Sequence, residues 1–162
     1  MQMKLLGALA ATALLAACAS EDTSGAATGA GAAAGGSNLS GSVRPGSQED
    51  LVANVGDRVF FDTDMASVRA DQRSILERQA AWLARYPAAT VQLEGHADER
   101  GTREYNLALG QRRANAARDV LVAGGTAGAR IATISYGKDR PAALGSSEDA
   151  WAQNRRAVTV VR

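Results

Sequence analysis

The stretch VQLEGHADERGTREYNLALGQRRANAARDVL, residues 91–121, contains the pattern that decides the fold. Its first part alternates apolar and polar side chains, a period of two that predicts a strand over residues 90–95. Its second part repeats apolar or small residues at helical spacing, and this predicts a helix over residues 102–123, ended by glycines at 124 and 125. A buried strand followed by a long helix predicts an α/β protein.

The rest of the chain extends this pattern. Three more stretches are rich in β-branched or aromatic residues and are predicted strands: residues 58–62, 130–137 and 156–162. A helix before residue 90 is expected to end at Tyr86, because Pro87 disfavours α geometry in the residue that precedes it. A short helix is predicted at residues 148–153. The order β-α-β-α-β-(α)-β predicts an α/β (α+β) sandwich, with helices packed on one four-stranded mixed sheet.

Composition limits the possible functions. The 162 residues, 46% of them hydrophobic, suffice for one core with extensions. The 18 basic and 17 acidic residues leave a net charge of +1, which argues against nucleic acid as a partner and against a polybasic membrane patch. The one cysteine, Cys18, excludes an internal disulfide and a cysteine-based zinc site. No cofactor is predicted.

The N-terminus explains that cysteine. Lys4 precedes an apolar run over residues 5–17, the layout of a secretory signal that is too short for a permanent membrane span. The sequence LAAC at residues 15–18 resembles a bacterial lipobox, in which cleavage leaves Cys18 as a lipid-bearing first residue. An ordinary cleaved signal is the alternative. Ala19 stands where an Asp would favour inner-membrane retention, so we predict a lipid anchor in the outer membrane, with the domain facing the periplasm.

The next segment is rich in Gly, Ala, Ser and Thr and has no apolar period. We therefore predict three parts: a lipoprotein signal peptide at residues 1–17, a lipidated Cys18 with a flexible tether over residues 18–50, and a domain over residues 51–162. A tether of this length has a root-mean-square span of roughly 30 Å. The domain is thus expected to move away from the membrane surface.

Two neighbouring arginines on the long helix face different ways. The core stripe of this helix consists of small and apolar residues: Leu107, Gly110, Ala114, Ala117 and Leu121. Arg112 points about 170° from the centre of that stripe and is predicted to be solvated. Arg113 lies only about 70° from it, with Asn106 on the same flank. Arg113 is therefore expected to be partly desolvated and to need a partner.

Charged residues after the predicted strand supply candidates for that partner. Asp98 follows the strand directly, where open α/β sheets tend to place ligands. A turn or helix-capping aspartate is an equal alternative. A carboxylate and a guanidinium together suit a zwitterion, with Asp98 taking its ammonium and Arg113 its carboxylate. A direct pair between the two side chains is an equal alternative. Glu99 and Arg100 are predicted to be solvated.

His96 lies next to these residues in the sequence and is a candidate metal ligand. The chain has no second histidine and no spaced pair of carboxylates to complete a metal site. A structural or rim role is the better prediction.

Residues 91–121, together with SYGKDRPAALGSSEDAWAQNRRAVTVV at residues 135–161, resemble the OmpA-like peptidoglycan-binding domains. The resemblance runs from about Val59 to the C-terminus. It implies non-covalent binding of the peptidoglycan stem peptide, with the end of a diaminopimelate side chain held between Asp98 and Arg113.

The resemblance implies further roles. Leu109 matches a position that lines the ligand pocket, and Asn106 matches an asparagine that supports it. Thr63 replaces the family's usual aromatic residue, whereas Asp64 keeps the position that offers a backbone N–H. For family members with a lipid anchor, it also implies association with the Tol proteins, in particular TolB, and a link between outer membrane and wall that supports envelope integrity and cell division.

Two other classes of function are possible. An enzyme acting on peptidoglycan would use Glu94, Asp98 or Glu99 as acid and base, but no nucleophile or metal pattern accompanies them, so no enzyme is predicted. A module that binds TolB or another envelope protein, without binding the wall, is the stronger alternative.

Overall fold

The computed structural model describes residues 43–162. Its elements are, in chain order, α1 Gln48–Asn54, β1 Arg58–Phe60, α2 Ala70–Arg85, β2 Val91–His96, α3 Arg103–Ala123, a 3-10 turn Gly128–Arg130, β3 Ile131–Gly137, α4 Glu148–Asn154 and β4 Arg156–Val161. The predicted signal peptide, Cys18 and most of the predicted tether lie outside the described residues. Among residues 43–162, no helix has the length and apolar character that a bilayer span requires.

The four strands form one mixed sheet in the order β1-β4-β2-β3. β2 pairs in parallel with β3, whereas β4 runs antiparallel to both β1 and β2. The parallel pair needs a crossover, and α3 supplies it. This arrangement confirms the predicted α/β sandwich on a four-stranded mixed sheet.

The core lies between this sheet and the helices α2 and α3. Two glycines set how closely α3 approaches the sheet: a Cβ atom on Gly95 would lie 1.8 Å from the carbonyl oxygen of Gly110, and one on Gly110 would lie 2.3 Å from Ser135 Oγ. Any larger side chain at Gly95 would push α3 off β2. The close approach brings the first turns of α3 beside the end of β2, which is where the charged residues of the sequence motif lie.

Helix α1 was not predicted, and it begins before the predicted start of the domain at residue 51. Seven residues are too few to show an apolar period. The helix is instead fixed by specific polar contacts: Ser47 Oγ accepts the Asp50 N–H, and Asp50 Oδ2 accepts from Gly46 N at 2.8 Å and Trp82 Nε1 at 3.0 Å. The folded unit therefore includes the last residues of the predicted tether.

The remaining predicted elements agree with the structure to within one or two residues. β1 ends at Phe60 rather than at residue 62, and the carbonyl of Asp62 instead accepts from Arg113 Nη2 in the middle of α3. Thr102 is the N-cap of α3, and its Oγ1 accepts the Tyr105 N–H at 3.2 Å. The predicted short helix before the last strand is α4.

A candidate ligand pocket at the end of strand β2

A pocket of about 270 Å³ opens where β2 ends and α3 begins. The loop after β1 forms its far wall. The lining residues are Thr63, Asp64, Asp98, Arg100, Gly101, Tyr105, Asn106, Leu109 and Arg113. The structure thus brings together all five residues of the predicted ligand site, which come from two parts of the sequence: Asp64 from the loop after β1, and Asp98, Asn106, Leu109 and Arg113 from residues 98–113.

Arg113 is fully buried at the back of the pocket. Its guanidinium donates to three backbone carbonyls: from Nε to Met65 at 2.8 Å, from Nη1 to His96 at 2.8 Å and from Nη2 to Asp62 at 3.0 Å. Burial lowers the pKa of Arg113 to about 10, so the side chain still carries its charge at neutral pH. A guanidinium has five N–H donors, so two remain beyond these three contacts.

Asp98 is buried at the side of the pocket, but it does not pair with Arg113. Its partner is Arg100, whose Nη2 lies 2.6 Å from Oδ2 and whose Nε lies 3.1 Å from Oδ1. Oδ1 also accepts the backbone N–H of Arg100, at 3.1 Å, which is an aspartate turn. The turn role of Asp98 is therefore confirmed, and the same side chain lines the pocket, whereas its role as a ligand contact stays a prediction.

The ionisation of Asp98 is fixed by two opposing effects. Burial raises the pKa of this carboxyl, but the hydrogen bonds and charge of Arg100 outweigh burial and hold the pKa below its usual value. Arg155 adds to the effect of Arg100, with Nη1 3.6 Å from Asp98 Oδ2. Asp98 is therefore a carboxylate at neutral pH, surrounded by positive charge.

Arg100 is exposed, as predicted, but its guanidinium also contacts other side chains. Its side chain is 39% exposed, but besides Asp98 it contacts Thr63 Oγ1 at 3.4 Å and lies over the ring of Trp151, 4.2 Å from the ring centroid. Glu99 is exposed as predicted, and its Oε1 accepts from Trp151 Nε1 at 3.0 Å. The loop 98–100 is therefore tied to α4 by a stack and a hydrogen bond.

The far wall of the pocket has an unusual backbone conformation. Asp64 has a φ of +59°, in the left-handed region that non-glycine residues seldom adopt. Its carboxylate accepts a hydrogen bond from the Tyr105 hydroxyl, and this bond raises the pKa of that tyrosine. Thr63 contributes a hydroxyl where the resemblance implied an aromatic ring, so Leu109 supplies the aliphatic part of the wall.

Asn106 and His96 support the pocket through the main chain. Asn106 Nδ2 donates to the Arg100 carbonyl at 2.8 Å and so holds the loop above the pocket. The His96 carbonyl accepts from Arg113, whereas both ring nitrogens are buried without a hydrogen-bond partner among the described residues. Burial lowers the pKa of His96 to about 4, so its ring is neutral at pH 7. Residues 43–162 contain no cluster of ligating side chains for a metal.

Three residues that contact the pocket residues were not predicted from the sequence: Arg155, Tyr105 and Trp151. Arg155 is buried and donates from Nε to the Phe61 carbonyl at 3.1 Å. A pair of arginines directly before an apolar strand, at residues 155 and 156, is a signal that could have identified it, because charged residues at such a position need internal partners.

Comparison with known proteins gives concordant matches. The OmpA family matches residues 60–155. The chain is 55% identical to the peptidoglycan-associated lipoprotein of Rhizobium meliloti, over 95% of this chain and 85% of that protein. It is 60% identical to the protein of the same name from Agrobacterium fabrum, over 75% of this chain and 68% of that protein.

A solved structure agrees with these relatives. The crystal structure of the peptidoglycan-associated lipoprotein from Burkholderia pseudomallei has a TM-score of 0.66 and 41% identity, covering 70% of this chain and 100% of that one. The chain therefore belongs to the OmpA family and, within it, to the peptidoglycan-associated lipoproteins.

Proposed function

We propose that this chain binds the stem peptide of peptidoglycan without covalent chemistry, and that the pocket takes the zwitterionic end of a diaminopimelate side chain. The observation that carries the proposal is the presence of a buried guanidinium with two remaining N–H donors in the same pocket as an ionised carboxylate. Arg113 would bind the ligand's carboxylate, and Asp98 its ammonium.

The size and lining of the pocket support a side-chain end as the ligand. A volume of about 270 Å³ is at the small end for ligand sites and suits a few heavy atoms rather than a glycan. Leu109 offers aliphatic surface for methylene groups, and the backbone of Asp64 offers its N–H group. Asn106 holds the loop in place. The arrangement suits binding, and we propose no catalytic residue.

The names of the relatives support a proposal for the whole chain. We infer that residues 1–17 are a lipoprotein signal peptide, that Cys18 carries lipid in the outer membrane, and that residues 18–50 join this anchor to a periplasmic domain. Each anchored domain would then stay close to its ligand. Many weak links in parallel would hold the outer membrane to the wall, because confinement raises the effective ligand concentration.

The same proposal includes association with the Tol system through TolB, with a role in envelope integrity and cell division. It rests on the resemblance and not on a contact in the structure. Changing Cys18 to Ser is expected to release a protein from the membrane that still binds the wall.

The test is a titration of the purified full-length protein in detergent with two stem peptides. One contains diaminopimelate, and the other contains lysine, which keeps the ammonium but lacks the terminal carboxylate. Binding of the first alone, with the preference lost in Arg113→Lys, would support the proposal. Arg113→Lys is the matched variant, because its side chain keeps the positive charge but lacks the planar guanidinium that can form a bidentate pair. If a folded protein binds neither peptide, the pocket is instead a surface for docking TolB or another envelope protein.

A further inference from the structure

The Asp98 carboxylate has little capacity for another hydrogen bond. A carboxylate offers about four acceptor positions. Arg100 fills both positions on Oδ1, with its backbone N–H and its Nε, and one position on Oδ2 with Nη2. The remaining side of Oδ2 lies 3.6 Å from Arg155 Nη1. A ligand ammonium that approaches this carboxylate therefore finds three of the four positions occupied by Arg100 and the fourth facing the guanidinium of Arg155.

The charge around Asp98 also opposes a cation. Three guanidinium groups, of Arg100, Arg113 and Arg155, lie at the pocket or at its edge. The carboxylates that line the pocket are those of Asp98 and Asp64, while Glu148 pairs with Arg155. Arg100 and Arg113 therefore already balance the two carboxylates of the lining, and an ammonium bound to Asp98 would be repelled by the Arg100 guanidinium beside it.

Of these three guanidinium groups, that of Arg100 is the most exposed. Arg113 is fully buried and bonded to three carbonyls. The Arg155 side chain is 8% exposed, is bonded to the Phe61 carbonyl and lies 2.6 Å from Glu148 Oε1. The Arg100 side chain, in contrast, is 39% exposed and, apart from Asp98, contacts the Thr63 hydroxyl and the face of Trp151.

From these contacts we propose that Arg100 occupies the ammonium position on Asp98 in the free protein and is displaced toward α4 when an ammonium-bearing ligand binds. The inference rests on the function proposed above. The displaced guanidinium moves along the face of the Trp151 ring, toward the exposed carboxylates of Glu99 and Glu148. The charge-assisted contact between Arg100 and Asp98 is then replaced by one between the ligand ammonium and Asp98.

This competition has a specific consequence for affinity. A ligand with both ammonium and carboxylate must displace Arg100, whereas a ligand with the carboxylate alone can bind Arg113 and leave Arg100 in place. Arg100 therefore weakens binding of the ammonium and reduces the advantage of a zwitterion. Because Trp151 contacts Arg100 but does not line the pocket, its ring reports the displacement without touching the ligand.

The first test compares affinities of the full-length protein by calorimetry. Arg100→Ala should bind the diaminopimelate peptide about two- to fivefold more tightly, the size expected for a partly exposed ion pair. The same change should leave unaltered the affinity for an analogue in which 2-aminopimelate replaces diaminopimelate, since it lacks the ammonium. Arg103→Ala is the matched control, because Arg103 is exposed, pairs with Asp139 and does not line the pocket.

The second test follows the two tryptophans, Trp82 and Trp151, by fluorine NMR of fluorotryptophan-labelled protein, with Trp151→Phe for assignment. The Trp151 signal should shift with the diaminopimelate peptide, and not with the des-amino analogue. Weaker binding by Arg100→Ala, or a Trp151 signal that stays fixed while calorimetry shows binding, would overturn the displacement and leave the proposed function standing. If calorimetry shows no binding to the wild type, both proposals are wrong.

Discussion

The two ends of the central strand β2 each have an arginine that is held by three backbone carbonyls. At the end, Arg113 donates to Asp62, Met65 and His96. At the start, Arg130 donates to the carbonyls of Leu83, Tyr86 and Ala89, at distances of 2.6 to 3.0 Å. The contacts have the same chemistry, yet the two sites differ in the surroundings of the N–H donors that each guanidinium has left over.

Arg130 closes the C-terminal end of α2, whose last carbonyls have no partner within the helix. It is half-buried, so its remaining donors can reach water. Arg113 is fully buried and lines the pocket, so its remaining donors are shielded from bulk water. An arginine bound to carbonyls is thus structural where its other donors reach water, and a candidate ligand contact where it is buried beside a pocket.

The largest effect is expected for Arg113→Ala. The change removes the guanidinium proposed to bind the ligand's carboxylate, at a cost of about 2 to 5 kcal/mol in binding. It also removes the donor to three carbonyls, one of them buried, so the free energy of unfolding should fall by about 3 kcal/mol. Calorimetric titration and urea unfolding measure the two losses separately.

Arg113→Lys separates these roles further. Lysine keeps a positive charge but reaches fewer of the three carbonyls and forms no bidentate pair. Loss of stability without loss of binding in either variant would show that Arg113 is only structural, like Arg130. If a variant loses binding but unfolds at the same urea concentration as the wild type, the three carbonyl contacts of Arg113 do not contribute to stability.

A smaller effect is expected for Arg130→Ala, with stability alone reduced. The three carbonyls are near the surface, so water replaces part of the lost bonding, and the free energy of unfolding should fall by about 2 kcal/mol. Hydrogen exchange should quicken at the C-terminal turn of α2. Affinity for the stem peptide should stay at the wild-type value. A change in affinity would mean that the two ends of β2 are coupled.

The arginine at each end illustrates what the sequence could predict. The helical periodicity placed Arg113 at the edge of the core and Arg112 in solvent, and the structure agrees on Arg112 but buries Arg113 completely. The carbonyl partners were not predictable, because they come from loops whose positions depend on tertiary contacts. Nothing in the local pattern around Arg130 distinguished it from a solvated residue.

The fold was predictable where patterns are long. Strand alternation and the 21-residue α3 gave the element order, whereas the seven-residue α1 depends on the contact between Asp50 and Trp82, 32 residues apart. Within the pocket, motif resemblance identified the residues that the structure brings together. The resemblance gave no indication that Arg100 is bonded to the Asp98 carboxylate, since that pairing depends on side-chain geometry.

The smallest effect concerns acid stability at the Arg113 end of β2. His96 supplies a carbonyl to Arg113, and its pKa is lowered to about 4 by burial and by the charges of Arg156 and Arg140. Glu94 lies 3.9 Å away and does not reverse this effect. The unfolded chain, with an ordinary pKa of 6.5, binds a proton first as pH falls. The contribution of the neutral His96 ring to the free energy of unfolding is therefore complete above pH 6.5, and it is lost as the pH falls toward 4.

Between pH 7 and pH 5 this loss should amount to about 1 to 2 kcal/mol, measured by urea unfolding across the pH range. His96→Phe removes the titration, and because both ring nitrogens lack partners among the described residues, an apolar ring should be tolerated. The variant should therefore show a flatter pH profile in this range. A slope as steep as that of the wild type would assign the acid sensitivity to other groups. His96 is the one histidine, so its NMR titration gives the pKa directly.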